Sequence, residues 1–186
     1  TNIETHLLNI EIASHDMFID SDDNILIIGM SDLANGKSIY LLPKGDYTHP
    51  SVVKTGLGRC WCISKSGDYT YFSNLTAIYR FNASGVIEKF FSESVISMSL
   101  SSRYLYYANY FGNTTGRINI QTKADETLLS SLNGPIAVRY DATQNKLYFL
   151  EVGTSAAQYK DGTLKVINDV EVYQGDLILT DNDVYV

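Results

Sequence analysis

The sequence contains little cysteine, proline, histidine or tryptophan, and these shortages exclude several classes of protein. With 2 Cys and 3 Pro in 186 residues, the chain is neither a disulfide scaffold nor a collagen-like or proline-rich segment. No apolar run approaches the roughly 18 residues of a membrane-spanning helix, so we expect no membrane insertion. The hydrophobic fraction of 45% is too high for a disordered chain. These features predict one folded domain of ordinary size.

Positive charge is also scarce. The chain has 14 Lys and Arg residues against 21 Asp and Glu residues, a formal net charge of −7, and no basic run interrupts this balance. Such a surface repels a phosphate backbone on average. We therefore expect no nucleic-acid partner.

The two cysteines, Cys60 and Cys62, lie two residues apart in an apolar segment. On a strand they point to the same face, but the backbone is too stiff for an easy disulfide, so we predict buried thiols. A metal site would need further soft ligands, and none of the three histidines has a fixed spacing to the pair. These histidines are His6, His15 and His49.

Tyrosine, in contrast, is abundant, with 14 residues, and together with many Val, Ile and Thr residues it favours strands. Five segments repeat one pattern, a polar turn followed by a short apolar or aromatic burst, at spacings of about 40 residues. The aligned residues are Leu26, Thr70, Leu105, Leu147 and Val184. A repeat of this length without helical segments predicts β-propeller blades of four strands each.

Three of the repeats contain four short apolar segments, separated by turn residues. The predicted strands are 60–63, 69–72, 77–81 and 86–91 in the second repeat, 96–100, 104–108, 117–120 and 126–129 in the third, and 136–140, 146–150, 163–167 and 170–173 in the fourth. Residues 123–132 include helix formers, but their leucines form barely one turn of an apolar stripe, so we predict a strand there as well.

The two ends of the chain resemble parts of a blade. Residues 4–8 are similar to 126–129 and predict an outer strand, whereas 177–180 and 184–186 predict an inner strand and the start of the next one. The fold class is therefore all-β, a single β-propeller domain or propeller fragment over 1–186, with four complete blades and a partial blade at the two termini. It is either a closed five-bladed ring or part of a propeller with six or more blades. We favour the fragment, because a natural protein rarely ends inside an apolar strand. A ring left open exposes strand edges, which is costly unless something covers them and which would also allow self-association.

The aromatic bursts carry a family resemblance. Tyr106-Tyr107-Ala108-Asn109, followed by a Gly-containing loop and by Gly116-Arg117-Ile118-Asn119, resembles the Tyr-Trp-Thr-Asp repeat of lipoprotein-receptor type β-propellers and of related bacterial surface propellers of unknown function. Looser copies lie at 71–74 and 148–151. The resemblance implies a propeller fold and favours a location outside the cell or at its surface, with a cytoplasmic location left open.

In that family the fourth residue of the burst ties neighbouring blades together by hydrogen bonds. Asn74, Asn109 and Glu151 occupy this position here. We expect a structural role for them, because a buried polar side chain at a strand end needs a backbone partner.

The acidic stretch 20–24 suggests a calcium loop, since oxygen-rich loops bind hard cations. It lacks the Gly at the sixth position and the distal Glu of a helix-loop-helix calcium site. Asp and Asn also favour turns through hydrogen bonds to their own backbone, and we therefore predict a turn.

Polar residues interrupt the apolar pattern of the predicted inner strands at His15, Asp16, Arg59 and Arg139. They stand at or near the entrance of the first strand of a blade and could line one mouth of a central channel, the default ligand pocket of a propeller. A plug in which Asp16 pairs with the two arginines is the structural alternative. Ser14-His15-Asp16 cannot form a hydrolytic triad, because consecutive residues of an extended chain do not face one another.

Two connections between the second and third strands of a blade are predicted to be long loops, 109–116 and 151–161. They expose aromatic residues on the same rim as the entrances of the first strands. Tyr and Phe bring large contact areas at low rotamer cost, which suits a binding partner. The candidate partner-binding residues are therefore Tyr110, Phe111, Asn109, Tyr159, His15, Asp16, Arg59 and Arg139.

These features favour a non-enzymatic binding module, a propeller whose rim binds a protein or a glycan and which forms part of a larger polypeptide. The alternative is a propeller hydrolase of the lactonase kind with a metal in its channel. Such an enzyme needs several carboxylates or amides at the channel ends of different inner strands, whereas the sequence offers Asp16 beside Cys60, Ser97 and Ala137. We therefore expect no catalytic residues, no metal and no cofactor. A purely structural spacer is the third hypothesis.

Overall fold

The computed structural model describes residues 13–30, 37–74, 76–152 and 163–171, and every regular element among them is a β-strand. The chain divides into two compact units, Thr1–Ser92 and Glu93–Val186. Within each unit the described strands form two antiparallel sheets, in which consecutive strands are neighbours. The prediction of an all-β chain built from sequential four-stranded blades is confirmed for the described residues, with one shorter sheet.

The first unit contains two four-stranded sheets. The first is formed by β1 (Ala13–Ile19), β2 (Ile25–Met30), β3 (Ser38–Leu42) and β4 (Ser51–Lys54), and the second by β5 (Cys60–Ser66), β6 (Tyr69–Asn74), β7 (Ile78–Phe81) and β8 (Glu88–Phe91). The four strands predicted in the second repeat correspond to β5 to β8.

The second unit contains one four-stranded sheet and one of three described strands. The four-stranded sheet is formed by β9 (Ser97–Leu100), β10 (Tyr104–Asn109), β11 (Thr114–Asn119) and β12 (Asp125–Leu129), and the other by β13 (Pro135–Asp141), β14 (Lys146–Glu151) and β15 (Thr163–Ile167). Residues 123–132 supply β12, as predicted.

The last strand predicted in the fourth repeat, 170–173, differs from the structure. Val170 and Glu171 lie outside any strand, because hydrogen bonds to Asn145 in the turn before β14 hold them: Glu171 N–H donates to Asn145 Oδ1 at 2.9 Å, and Val170 N–H to the Asn145 carbonyl at 3.2 Å. The rest of that segment, like the predicted strands 4–8, 177–180 and 184–186, lies outside the described residues.

The aligned repeat positions occupy equivalent places. Leu26, Thr70, Leu105 and Leu147 all lie in the second strand of their sheets, and all four are buried. Val184 lies outside the described residues. The repeat deduced from the sequence is therefore a structural repeat in four sheets.

Each unit has its own apolar core between its two sheets. In the first unit the core includes Leu26, Ile28, Ile39, Cys60, Ile63, Phe72 and Phe81. In the second it includes Tyr106, Ala108, Leu128, Val138, Leu147, Phe149 and Ile167. Burial of these side chains is the main favourable contribution to the stability of each unit.

The first strands of the two sheets in each unit are joined by the same kind of hydrogen bond. In the first unit Ile63 N–H donates to Asp16 Oδ2 at 3.0 Å, and in the second unit Val138 N–H donates to Ser97 Oγ at 3.2 Å. Ile63 and Val138 occupy equivalent register positions in β5 and β13. A polar side chain on one first strand thus satisfies a backbone donor on the next.

Candidate functional site

The connection between β10 and β11 is a tight turn and not the long loop predicted over 109–116. Asn109 pairs with Thr114 across the two strands, so the turn consists of residues 110–113. Thr114 and Thr115 extend β11 instead of the loop, which agrees with the preference of β-branched residues for strands. The predicted loop length was therefore wrong.

Hydrogen bonds fix the shape of this turn. Asn109 Oδ1 accepts the Gly112 N–H at 2.7 Å. Asn113 adopts the left-handed conformation, with φ of 54°, which Asn tolerates better than most residues. Its carbonyl accepts the Leu132 N–H at 2.9 Å, and its Oδ1 accepts the Gly134 N–H at 3.3 Å. The turn is thus held both by its own residues and by the segment that leads into β13.

The two aromatic residues lie on this fixed turn. The side chain of Phe111 is 64% exposed, so its ring does not fold back over the sheet. The rings of Tyr110 and Phe111 meet edge to face, with centroids 5.4 Å apart and an interplanar angle of 89°. Phe111 therefore projects from the end of the sheet, and the half-buried Tyr110 supports it from the side.

Asn109, a candidate binding residue, is 8% exposed and has structural partners. In addition to capping the turn, its Nδ2 donates to Glu93 Oε1. Burial raises the pKa of Glu93, the hydrogen bond from Asn109 opposes this shift, and the negative charge of Asp125 adds to it. Asn109 thus positions the turn and links it to the segment before β9.

The residues equivalent to Asn109 also have structural bonds. Asn74 Oδ1 accepts the N–H groups of Thr76 at 2.9 Å and Ala77 at 3.0 Å, and Glu151 Oε1 accepts the Asn133 N–H at 3.0 Å. Thr76 and Ala77 lie in the connection between β6 and β7 of one sheet, whereas Asn133 lies in the connection that leads from β12 of one sheet to β13 of the next. These side chains thus have structural partners, as expected, and the bond of Glu151 ties a strand end to the connection between two consecutive sheets.

The candidate residues of the first unit lie near the start of its first strands. His15 is exposed, and its ring stacks on Trp61 with centroids 5.5 Å apart and an interplanar angle of 21°. Asp16 accepts the Ile63 N–H as described above. Arg59 is exposed immediately before β5 and forms no ion pair with a described residue.

In the second unit Arg139 lies on β13 with an exposed side chain. Its Nη1 donates to the Val138 carbonyl at 2.7 Å and to Ser97 Oγ at 3.3 Å. Tyr159 lies outside the described residues. The structure thus gives structural partners to Asp16 and Arg139 and leaves Phe111 and Arg59 projecting from the surface.

Sequence reasoning missed Lys37, which directly precedes β3. Lys37 is 5% exposed, its Nζ donates to the Cys60 carbonyl, and the same Nζ lies 5.4 Å from the ring centroid of Trp61. Burial lowers the pKa of Lys37. No sequence signal marks this residue, because a lysine after a polar segment is typical of an exposed turn.

The cysteines are buried free thiols, as predicted. Cys60 Sγ donates to the Leu57 carbonyl at 3.1 Å, and Cys62 Sγ lies 3.0 Å from Ser73 Oγ. Burial raises the pKa of Cys60 to about 11, although the charge of Lys37 opposes the shift. A thiol with such a pKa stays protonated at neutral pH and is a poor nucleophile.

The acidic stretch 20–24 forms a turn, as predicted. Asp20 Oδ1 accepts the N–H groups of Asp22 at 3.0 Å and Asn24 at 2.9 Å, and Oδ2 accepts from Lys65 Nζ at 2.9 Å. The acidic side chain that faces inward is thus occupied by the turn and by a lysine. Within the described ranges, no three His, Cys, Asp or Glu side chains form a group that could hold a metal ion.

A cleft of about 500 Å³ lies between the two sheets of the first unit. Leu26, Leu41 and Phe81 form apolar parts of its lining, and Thr70 replaces the leucine of the repeat there. The lining residues include no histidine, no cysteine and no pair of carboxylates. The cleft therefore offers no set of groups for nucleophilic or general acid–base chemistry.

In the part of the chain that the structure describes, there is no helix that could cross a bilayer.

No family model matches the chain, and no curated protein sequence matches it either. Solved structures do match. A chain in the crystal structure of a nidogen/laminin complex aligns with a TM-score of 0.67 and 16% identity, over 85% of this chain and 60% of that one. An auxiliary nutrient binding protein from Bacteroides thetaiotaomicron aligns with a TM-score of 0.65 and 13% identity, over 84% of this chain and 38% of that one. The fold is a β-propeller.

A luciferin-regenerating enzyme shares the same propeller fold, with a TM-score of 0.63 and 14% identity, over 80% of this chain and 59% of that one. Binding proteins and an enzyme thus occur together among the similar structures, and at these identities the likeness concerns the fold alone. The present propeller sequence spans 60% and 38% of the length of the first two chains.

Proposed function

We propose that the chain is a non-enzymatic binding module, a propeller of the Tyr-Trp-Thr-Asp type that acts outside the cell or at its surface. In this proposal the turn 110–113 inserts Phe111 into an apolar pocket of a protein partner. The observation that carries the proposal is the exposure of Phe111, 64%, on a turn that several hydrogen bonds hold in place.

The energetics of recognition support this role. An exposed phenylalanine gains free energy when a partner buries it, and the fixed turn means that little conformational entropy is lost on binding. The edge-to-face contact with Tyr110 orients the ring before the partner arrives. Such preorganised aromatic residues are typical centres of protein interfaces.

A protein fits this geometry better than a glycan. Sugars stack on the flat face of an aromatic ring beside several polar groups, whereas Tyr110 and Phe111 stand at 89° to one another and form no shared platform. The protruding Phe111 ring, which Tyr110 contacts edge to face, can instead enter a pocket on a protein partner. For the hydrolase alternative, neither the cleft of the first unit nor the acidic turn supplies supporting groups.

The proposal can be tested by placing a photo-cross-linking phenylalanine analogue at position 111. A matched control carries the analogue at Leu164, which is 57% exposed on β15. We expect a specific cross-linked protein from position 111 and none from position 164. A product containing two copies of this chain would instead show self-association, and equal labelling from both positions would contradict the proposal.

Once cross-linking has identified the partner, F111A should weaken its binding about 30-fold or more. Truncating a central aromatic residue typically costs about 2 kcal/mol or more of binding free energy. L164A should leave the dissociation constant within about twofold. Isothermal titration calorimetry measures both. A glycan array probed with the wild-type chain and F111A tests the second partner class, and a sugar bound only by the wild-type chain would replace the protein in this proposal.

A further inference from the structure

The surroundings of Lys37 in the first unit combine a buried ammonium that has no carboxylate partner among the described residues with a buried indole N–H that has no hydrogen-bond partner. We call Lys37, Trp61, His15 and Arg59 the Lys37 cluster. Lysine is almost never this deeply buried unless a carboxylate pairs with it. At 5% exposure, Lys37 has the Cys60 carbonyl and the Trp61 ring as its partners, and none of the described residues pairs a carboxylate with it.

The second observation concerns the indole of Trp61. Its Nε1 is buried, and among the described residues it is the one buried side-chain nitrogen or oxygen that has no hydrogen-bond partner. A buried donor without an acceptor is unfavourable. Such a group in a native protein calls for an explanation, and a functional role in binding is one of them.

The two donors are neighbours in the structure. Lys37 Nζ lies 5.4 Å from the centroid of the indole ring that carries Nε1. The two oxygens of a carboxylate could accept one hydrogen bond from each donor, and its charge would compensate the ammonium. A neutral hydroxyl ligand would leave the ammonium uncompensated.

The outer side of the cluster is also cationic. Arg59 is exposed one residue before Cys60, whose carbonyl binds Lys37, and no described residue pairs with it. Lys37 N–H donates to the Gly58 carbonyl at 3.4 Å, so the backbone of Lys37 lies beside the residue that precedes Arg59. The protein is acidic, with a net charge of −7. Two cationic residues without carboxylate partners among the described residues are therefore unusual in it.

We propose that the Lys37 cluster binds a small carboxylate-bearing ligand, with one carboxylate oxygen on Lys37 Nζ and the other on Trp61 Nε1. Arg59 guides the anion to the site, and the exposed His15 ring on Trp61 moves aside to admit it. The site lies in the first unit and does not depend on the Phe111 turn. A uronic acid and the C-terminal carboxylate of an amino acid or peptide share this chemistry.

The single tryptophan makes the site directly observable. In a 15N-labelled chain, the one indole N–H resonance reports on Trp61 Nε1. We expect it to shift in a saturable manner on titration with sodium glucuronate or with N-acetylglycinate. Glucose and sodium chloride at the same ionic strength should leave it in place. Comparison of the two dissociation constants then shows whether the site prefers an acidic sugar or an amino-acid carboxylate.

Two variants test whether Lys37 Nζ and Trp61 Nε1 donate to the ligand. K37M keeps an unbranched side chain and removes the ammonium group. It should weaken carboxylate binding at least tenfold, whereas the same change at Lys89, which is exposed on β8, should not. W61F keeps a ring and removes the N–H, and should reduce the rise in melting temperature that glucuronate produces. This thermal measurement needs no tryptophan.

The proposal fails if the indole resonance does not move with either carboxylate at tens of millimolar. It also fails if chloride or glucose moves the resonance equally, or if K37M binds as the wild-type chain does. Should K37M not fold, the W61F thermal shift still decides, because an unchanged rise in melting temperature would exclude Nε1 as a donor.

Discussion

Replacing Gly116 by alanine should lower the free energy of unfolding by about 3 kcal/mol, the upper range for overpacking a core. A Cβ at this position of β11 would meet Tyr107 Oη at 2.4 Å and the Glu126 carbonyl oxygen at 2.6 Å. The Glu126 oxygen belongs to the backbone of the neighbouring strand β12, so it cannot turn away. The Tyr107 hydroxyl is held by its hydrogen bond to Asp125 Oδ1 at 3.0 Å. Urea unfolding followed by circular dichroism measures the loss.

The matched control is G112A in the same hairpin. A Cβ there would also come close, at 2.6 Å, but to Nδ2 at the end of the Asn109 side chain, which can shift if its hydrogen bonds to Gly112 and Glu93 weaken. We expect a loss of about 1 kcal/mol from the weakened turn cap. If G116A lost no more unfolding free energy than G112A, the backbone of β12 and the Tyr107 side chain would be able to move away from the added Cβ. The proposed rigidity of this hairpin would then be wrong.

The aromatic bursts allowed the repeat to be predicted because they combine two signals. Tyr106 and Tyr107 are both buried, one on each face of β10, so the strand reads as a continuous apolar run and not as an alternation. The polar turn before each burst then marks where the strand begins. Together these signals identify the second strand of a sheet, which contacts its neighbours on both faces and both edges.

Two sheets share an arginine that stacks on a tyrosine and pairs with a glutamate, and this arrangement was not predicted from the sequence. Cζ of Arg80 in β7 lies 4.2 Å from the ring centroid of Tyr69, and the guanidinium pairs with Glu88. The equivalent Arg117 in β11 lies over the first tyrosine of β10 at 4.4 Å and pairs with a glutamate of β12 at 2.8 Å. The tyrosine, the arginine and the glutamate lie on three consecutive strands, and the cation–π contact and the ion pair link these strands. The three residues are about 10 positions apart in the sequence, so their proximity becomes clear only from the strand register.

The candidate site was less predictable than the fold. Phe111 could be chosen because two adjacent aromatic residues beside glycine break the strand pattern. For Asp16 the sequence suggested partner binding or a pairing with arginines, but not its hydrogen bond from Ile63 N–H, because this bond depends on how two sheets pack. Lys37 was missed for a related reason: its burial results from the Cys60 carbonyl and the Trp61 ring, which come from another sheet. Contacts between repeats carry no periodic signal in the chain.

The largest expected pH effect concerns Asp20. Burial disfavours its charged form, but the hydrogen bonds from Lys65, Asn24 and Asp22 outweigh this and lower its pKa from an ordinary 3.8 to about 2. A carboxylate whose pKa is lower in the folded state stabilises the fold above its unfolded pKa and loses that contribution as the pH falls through the folded value. The shift corresponds to about 2 kcal/mol, present above about pH 4 and lost towards pH 2.

The variant D20N should therefore be less stable than the wild-type chain by about 2 kcal/mol at pH 6, and the difference should shrink as the pH approaches 2. Urea midpoints at pH 6, 4, 3 and 2 measure it. D23N is the matched control, because Asp23 lies in the same turn and pairs with Lys44, but both side chains are more than 60% exposed, at 62% and 64%. Solvent screens such a pair, so its curve should run parallel to that of the wild-type chain. If D20N also runs parallel, the charge of Asp20 and its ion pair with Lys65 do not contribute to holding the two sheets of the first unit together.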